Sequence, residues 1–232
     1  MQAHSKPIRS RAAGRPGHDD LVTDDSARWN HNVHYHRLVL DSVPAGARDV
    51  LDVGCGEGML ARRLRRTVPN VVAIDLDRAS IDLAEAQSPG TDIDYRHGDF
   101  VTHPFPRESF DMIVSIATVH HMAAHTALAR MKDLLRPGGT LAIVGLARGR
   151  PPADLPMELA GVVANWVHRL TKTEWDHPSP TVWPPPETYT AMRRLAVRLL
   201  PGARYRRHLL WRYSIIWTKP PREGSPSRRI AP

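Results

Sequence analysis

The chain contains 232 residues, 41% of them hydrophobic, which predicts one globular domain with a sizeable apolar core. No apolar run approaches the roughly 18–20 residues of a membrane-spanning helix, and the polar N-terminus lacks an apolar signal-peptide core, so we expect a cytoplasmic protein without a membrane partner. Cys55 is the only cysteine, which excludes an intrachain disulfide and a thiolate zinc cluster, and the net charge of +8 raises the question of nucleic-acid binding.

Part of the positive charge lies in the two ends of the chain. Residues 1–20 and 221–232 are rich in Arg, Pro, Ser and Gly, and we expect both to be disordered tails around a folded domain at 21–220. Further arginines fall on one predicted helix, where a solvated face explains them: Arg62, Arg63, Arg65 and Arg66. The charge alone therefore does not predict a nucleic-acid partner.

Apolar strands alternate with helices through the first two thirds of the domain. In chain order the patterns predict a helical segment at 26–43, strands at 49–53, 71–74, 93–96, 110–116 and 140–146, and intervening helices at 59–67, 78–86 and 124–135. Such alternation indicates βαβ units and a parallel sheet covered on both faces. The predicted class is therefore α/β, with a Rossmann-like, doubly wound and mostly parallel sheet.

The alternation ends after the strand at 140–146. Two helices are predicted, at 155–170 and 187–200, with a proline-rich loop between them. Two β segments follow at 203–209 and 212–219, and few residues separate them. This spacing predicts a hairpin, so one strand at the end of the sheet is expected to run antiparallel.

The strongest motif is Leu-Asp-Val-Gly-Cys-Gly-Glu-Gly at 51–58, between a predicted strand and a predicted helix. Glycines there let the backbone turn sharply and approach a ligand. Gly54, Gly56 and Gly58 are spaced G-x-G-x-G, unlike the G-x-G-x-x-G fingerprint of dinucleotide sites. Asp52 just before them would repel a pyrophosphate but attract an ammonium and a sulfonium. The motif favours S-adenosylmethionine over NAD.

The second predicted strand ends in another acidic segment. Asp75, roughly 20 residues past the glycines, is placed to accept hydrogen bonds from ribose hydroxyls. Leu76 could pack on an adenine, and Asp77 fits the N-cap of the next helix. An exposed loop aspartate is the alternative interpretation of Asp75.

Five motifs in chain order resemble the class I S-adenosylmethionine-dependent methyltransferases, in particular their ubiquinone-biosynthesis-like small-molecule subgroup. Besides the glycine motif and Asp75, these are Gly-Asp-Phe at 98–100, FDMIVSIATVHHM at 110–122 and LLRPGGTL at 134–141. The resemblance covers about 30–220, including a last strand near 213–220. It implies S-adenosylmethionine as cofactor, bound by Asp52, Gly54, Cys55, Gly56, Asp75, Leu76, Asp99, Phe100 and Ile116.

His120 and His121, just beyond the fourth predicted strand, are the candidate catalytic residues. Methyl transfer from a sulfonium is an in-line displacement in which positioning supplies much of the catalysis. A base is needed only when the nucleophile must lose a proton, and a histidine titrates in the right range. The alternative is that both side chains only shape the pocket or hold the cofactor.

Aromatic residues supply the candidate substrate contacts. In the segment WNHNVHYH at 29–36, His31 and Tyr35 could reach the substrate from a helix over the cofactor. Alternating histidines on a helix do not face one another, so we expect no metal site. In the family, the insertion at about 151–202 would line the substrate pocket, where Trp175 and Trp183 could form an aromatic wall. Core packing is the alternative for both tryptophans.

The sequence lacks the features of several specialised methyltransferases. No Asn-Pro-Pro-Tyr-type segment follows the fourth predicted strand, and Cys55 lies in the glycine motif, away from a cytosine-attacking position. The expected activity is therefore methyl transfer to an O, N or C nucleophile of a small, apolar or aromatic metabolite. The alternatives are an RNA methyltransferase, which the missing RNA-binding module disfavours, and a cofactor-binding protein without activity. The sequence does not predict the oligomeric state.

Overall fold

The computed structural model describes residues 29–150, 152, 154–171 and 184–222. Seven strands form one sheet: β1 (Asp49–Val53), β2 (Asn70–Asp75), β3 (Asp94–His97), β4 (Phe110–Ile116), β5 (Leu135–Leu146), β6 (Arg204–His208) and β7 (Arg212–Thr218). Six helices accompany them: α1 (His36–Leu40), α2 (Met59–Arg65), α3 (Arg78–Ala86), α4 (Ala124–Leu134), α5 (Leu155–Thr171) and α6 (Tyr189–Leu199). Among the described residues, no helix combines the length and apolar character needed to cross a membrane.

The strand order is β3-β2-β1-β4-β5-β7-β6, which confirms the doubly wound Rossmann-like α/β fold. The first five strands pair in parallel, whereas β7 is antiparallel to both β5 and β6. The predicted antiparallel strand is thus β7, the last in the chain, and it lies inside the sheet between β5 and β6. Its apolar side chains are buried, while the arginine-rich β6 occupies the edge, as charged edge strands commonly do.

Side chains of the central strands alternate between two apolar layers because successive strand residues point to opposite faces. Leu51 and Val53 of β1 join the layer that packs on α4 and α6. Val50 joins the other layer, which packs on α1 and α2. Burial on both faces explains the continuous apolar runs from which the strands were predicted.

The predicted helix at 26–43 is wrong in extent. Its described part forms a single 3₁₀ turn at Val33–Tyr35 followed by the short α1. The side chain of Asn30 accepts hydrogen bonds from the backbone N–H groups of Asn32 and Val33, at 2.9 and 2.8 Å. These bonds have the geometry of a helix N-cap, so the helical turns begin after Asn30.

Candidate functional site

A cavity of about 750 Å³ opens at the carboxyl ends of β1, β2 and β4. The chain continues from β1 towards β2 and β3 on one side, and from β4 towards β5 on the other. Ligands of doubly wound sheets bind at such a point, where the strand order reverses. The loops after β1, β2, β3 and β4 line the cavity together with the segment before α1.

The glycine loop after β1 needs glycine at two positions. Gly54 has a φ of +73°, and a Cβ there would overlap the side chain of Thr118. Gly58 has a φ of +78°, and a Cβ there would overlap the hydroxyl of Tyr95. Left-handed backbone and close packing both exclude larger residues, so the loop keeps an open backbone towards the cavity.

Asp52 brings a buried carboxyl group to the cavity wall. Its side chain is only 1% exposed, and Oδ2 has no hydrogen-bond partner among the described residues. Burial, and secondarily the charge of Asp75, raises the pKa of Asp52 to about 8. A carboxylate in this place is stabilised by a cation in the cavity, because an opposite charge offsets the loss of hydration.

Asp75 lies at the end of β2 with a fixed orientation. Its Oδ2 accepts a hydrogen bond from the N–H of Gly56 at 2.8 Å, and its Oδ1 accepts one from the N–H of Asp77 at 2.9 Å. Each carboxylate oxygen keeps acceptor capacity for a further donor. Leu76 beside it is 70% exposed into the cavity region, an apolar surface suited to a flat ring.

The loop after β3 contributes Asp99 and Phe100 to the cavity wall. Asp99 is exposed and accepts a hydrogen bond from the N–H of Val101 at 2.8 Å, and Phe100 is buried. The guanidinium of Arg130 lies 5.8 Å from the Phe100 ring centroid, and its Nε donates to the Phe100 carbonyl. All nine residues predicted to contact the cofactor line this one cavity: Asp52, Gly54, Cys55, Gly56, Asp75, Leu76, Asp99, Phe100 and Ile116.

His120 and His121 both line the cavity, from the 3₁₀ turn at Val119–His121 that follows β4. Their ring centroids are 4.1 Å apart. Burial, then the neighbouring His121 and Arg212, lowers the pKa of His120 to about 4, and its Nδ1 has no partner in the described structure. Burial also lowers the pKa of the more exposed His121, while Asp75 opposes this shift. His120 is therefore a neutral imidazole at physiological pH, and its surroundings disfavour the protonated ring.

The candidate substrate residues divide into three cases. His31 lines the cavity, and its Nε2 lies 2.9 Å from Oδ1 of Asn165 on α5. Tyr35 points elsewhere: its ring is buried in the core, and its hydroxyl donates to the carbonyl of Leu209 at 2.6 Å. The structure therefore corrects the prediction that Tyr35 reaches the substrate. Trp175 and Trp183 lie outside the described residues.

Arg212 is a cavity residue that the sequence analysis missed. It is only 7% exposed, and it donates hydrogen bonds to the carbonyl of Leu210 at 3.0 Å and to Oδ1 of Asn32 at 2.8 Å. Burial lowers its pKa to about 10, so it stays charged at neutral pH. The available signal was an arginine at the start of the otherwise apolar strand RYSIIWT, where a buried cation would be unusual.

Comparisons with known proteins agree with this site. Residues 51–143 match a family model described as a methyltransferase domain. An uncharacterised methyltransferase of Mycobacterium tuberculosis is 40% identical over 193 residues, covering 83% of this chain and 98% of that protein. A ubiquinone biosynthesis O-methyltransferase of Dinoroseobacter shibae is 34% identical over 142 residues, covering 59% of this chain and 56% of that protein.

Among solved structures, geranyl diphosphate C-methyltransferase from Streptomyces coelicolor, in complex with S-adenosyl-L-homocysteine, superposes with a TM-score of 0.58. The match has 10% identity and covers 80% of this chain and 77% of that one, so it shows a shared fold. The chain belongs to the S-adenosylmethionine-dependent methyltransferases, and S-adenosylmethionine is its cofactor. The G-x-G-x-G loop thus distinguished this cofactor from NAD.

Proposed function

We propose that the enzyme transfers the methyl group of S-adenosylmethionine to an O, N or C nucleophile of a small metabolite with apolar or aromatic character. The observation that carries this proposal is the buried Asp52 carboxyl, which faces the cavity with an oxygen that lacks a hydrogen-bond partner in the described structure. A cationic cofactor beside it would supply the missing partner. We also propose that the enzyme belongs to the ubiquinone-biosynthesis-like subgroup of these methyltransferases.

The residues predicted from the sequence would each bind one part of the cofactor. Asp52 would accept hydrogen bonds from the ammonium group, and Asp75 from the ribose hydroxyls. Leu76 and Phe100 would enclose the adenine, and Asp99 would accept from its amino group. The bound cofactor supplies an electrophilic methyl group, and the protein orients that group and excludes water from it.

His120 is proposed as the base when the substrate nucleophile is a hydroxyl. It lines the cavity and its ring is neutral at pH 7, while the pKa of about 4 makes it a weak base. His120 would take the hydroxyl proton as the new O–CH3 bond forms and the S–CH3 bond of the cofactor breaks, which would leave S-adenosylhomocysteine. The name of the Dinoroseobacter relative, an O-methyltransferase, supports a hydroxyl nucleophile. His121 is retained as the second candidate, with pocket shaping as the alternative role.

The region at about 151–202 is proposed to form the substrate side of the pocket. Asn165 of α5 contacts His31, and a Cβ at Gly161 would lie 3.4 Å from the ring of Trp211. The His31–Asn165 hydrogen bond and the proximity of Gly161 to Trp211 support a position of α5 beside the segment before α1 and the β6–β7 turn. Trp175 and Trp183 stay predicted substrate residues within the same region.

Labelling experiments can test the proposed function. The protein is incubated with S-adenosylmethionine carrying a labelled methyl group, once with a small-metabolite extract and once with total RNA. The proposal predicts label in a small molecule, and less label when Asp52→Asn replaces the wild type at a cofactor concentration below the wild-type Kd. Label confined to RNA would contradict the proposed small-molecule substrate. An unlabelled extract, together with no binding of S-adenosylmethionine, would contradict the proposed methyltransferase activity.

A further inference from the structure

Acidic and basic side chains line opposite flanks of the cavity. Its acidic side chains come from the carboxyl ends of β1 and β2 and from the loops after β1, β2 and β3: Asp52, Glu57, Asp75, Asp77 and Asp99. Arg212 is the only arginine or lysine among the described residues that line it. Arg212 is the first residue of β7 and pairs with Leu146, the last residue of β5, so it lies at the same carboxyl edge but on the opposite flank. The two flanks therefore favour ligand groups of opposite charge.

Within the described part of the chain, no carboxylate lies in ion-pair contact with the guanidinium of Arg212. Both of its hydrogen bonds there go to neutral oxygens, of Leu210 and Asn32. Two of its five N–H donors are thus used, and Nε has no partner in this part of the chain. A buried cation is unfavourable unless an anion accompanies it. Its place in the cavity wall lets a bound ligand provide that anion.

We propose that Arg212 binds a carboxylate group of the methyl-accepting substrate, so that the enzyme acts on a small carboxylic acid. This inference rests on the proposed function. One cation in this wall matches a singly charged group better than a phosphate dianion. The guanidinium also forms two parallel hydrogen bonds with a planar carboxylate.

The carboxylate of the cofactor is the other possible source of the anion, and the sheet geometry disfavours it. Its ammonium and carboxylate groups are attached to the same carbon atom, so binding of the ammonium at Asp52 keeps the carboxylate nearby. From β1 to β7 the order passes through β4 and β5, and three strand spacings of about 4.8 Å separate the two strands by roughly 14 Å. The substrate is the ligand expected on the flank of Arg212.

Such binding would also orient the reaction. Arg212 and His120 line the same cavity, so one bound molecule could contact both side chains. A substrate held by its carboxylate at Arg212 would present a second group, the nucleophile, to His120 and to the methyl group. Arg212 thereby selects and positions the substrate, while His120 handles the proton.

Binding of matched acids and amides tests this inference. The protein, loaded with S-adenosylhomocysteine, is titrated by calorimetry with benzoate against benzamide and with hexanoate against hexanamide. A charge-assisted pair predicts that at least one acid binds about tenfold to a hundredfold more tightly than its amide. Arg212→Gln should remove that preference, and Arg212→Lys should retain part of it. Arg136→Gln is the matched control, because Arg136 pairs with Asp49 and Asp111 at the opposite edge of the sheet.

The affinity of each variant for S-adenosylhomocysteine separates the two sources of the anion. Unchanged affinity in Arg212→Gln, with the acid preference lost, supports the substrate site. A tenfold weaker affinity, with acid and amide binding equally to the wild type, would assign Arg212 to the cofactor and overturn the inference. Failure of the wild type to bind any of the acids would overturn it without any variant. Failure to bind S-adenosylmethionine and S-adenosylhomocysteine would instead overturn the proposed function.

Discussion

Asp52, a residue of the proposed cofactor site, reduces the stability of the unliganded protein at neutral pH. The carboxyl group is buried beside Asp75, which raises its pKa in the folded chain to about 8, far above the ordinary aspartate value of 3.8. Between these two pH values the folded protein holds a proton that the unfolded chain has released. Stability from this group is therefore present at acidic pH and is lost as the pH rises towards 8.

Replacing Asp52 by Asn is expected to separate stability from binding. Asn cannot ionise, so the unliganded variant should be more stable than the wild type, by a margin that grows from about pH 4 to about pH 8. Its affinity for S-adenosylmethionine should fall about tenfold or more, since a charge-assisted contact is lost. Denaturant melts across pH and calorimetry measure both effects, with the exposed Asp82→Asn as control. A destabilised variant with normal affinity would contradict this role.

His120 leads to a different pH expectation. Because its pKa is about 4, it is deprotonated throughout the neutral range. If it is the base, turnover should stay flat above about pH 5 and fall below it. His120→Ala should lower turnover about 10²–10⁴-fold with little change in cofactor affinity.

Steady-state kinetics of His120→Ala across pH, with the product of the labelling experiment as assay, measure this expectation. His125→Ala on the exposed side of α4 is the matched control, since His125 does not line the cavity. A variant with near-normal turnover would leave positioning alone as the mechanism, and would favour an amine or carbon nucleophile.

At the scale of elements, locally determined features were predicted best. The bounds of α3 (78–86) and β4 (110–116) match the predictions, and Asp77 caps α3 by accepting the N–H of Ser80 at 3.0 Å. The helix predicted at 26–43 was too long. Its apolar spacing does not show that the Asn30 side chain bonds the N–H groups of Asn32 and Val33. Helical spacing reports which residues could be buried together, while side-chain hydrogen bonds decide where the helix starts.

The residues proposed to bind the cofactor could be predicted from the sequence better than those on the substrate side of the cavity. The residues proposed to bind the cofactor lie at or just after strand ends, so short sequence motifs suffice to predict that they line one cavity. Tyr35 and Arg212 depend on contacts between distant segments: Tyr35 bonds Leu209, and Arg212 bonds Asn32, 180 residues away. No local sequence pattern indicates such contacts. The orientation of the two side chains could therefore not be predicted from the sequence.

The glycine loop provides a prediction at the element scale. Gly54→Ala combines positive φ with overlap on Thr118, so it should destabilise the protein by more than backbone strain alone and should abolish cofactor binding. Gly46→Ala is the matched control, because Gly46 has a similar φ of +76° and open space around it. Its cost should be about 1–2 kcal/mol, the usual penalty of left-handed backbone. Chemical denaturation of both variants measures the difference, and equal losses would show that packing against Thr118 is unimportant.

At the scale of the whole molecule, the order of the strands brings the two proposed ligand sites to one edge of the sheet. The first half of the sheet carries the acids of the proposed cofactor site, and β7 returns the chain through the middle of the other half and brings Arg212 to the same edge. The position of β7 between β5 and β6 follows from its buried side chains. The hairpin could be predicted from the few residues between β6 and β7. The position of β7 beside β5 could not, because it depends on which strand is buried in the folded protein.

Cofactor binding should stabilise the whole domain, because only the folded chain brings the strand ends together. At a ligand concentration of 100 times Kd the gain is about 2.7 kcal/mol, which for a domain of this size corresponds to a Tm increase of roughly 5–11 °C. Asp75→Ala should weaken binding of S-adenosylhomocysteine at least about tenfold, which reduces the gain at the same concentration to about 1.4 kcal/mol. The variant also loses the acceptor for Gly56 and Asp77, so its own unliganded Tm is the reference. Calorimetric melts with S-adenosylhomocysteine, and with NAD as the control ligand, measure these shifts; a full-sized shift in Asp75→Ala would show that this carboxylate does not contact the ribose.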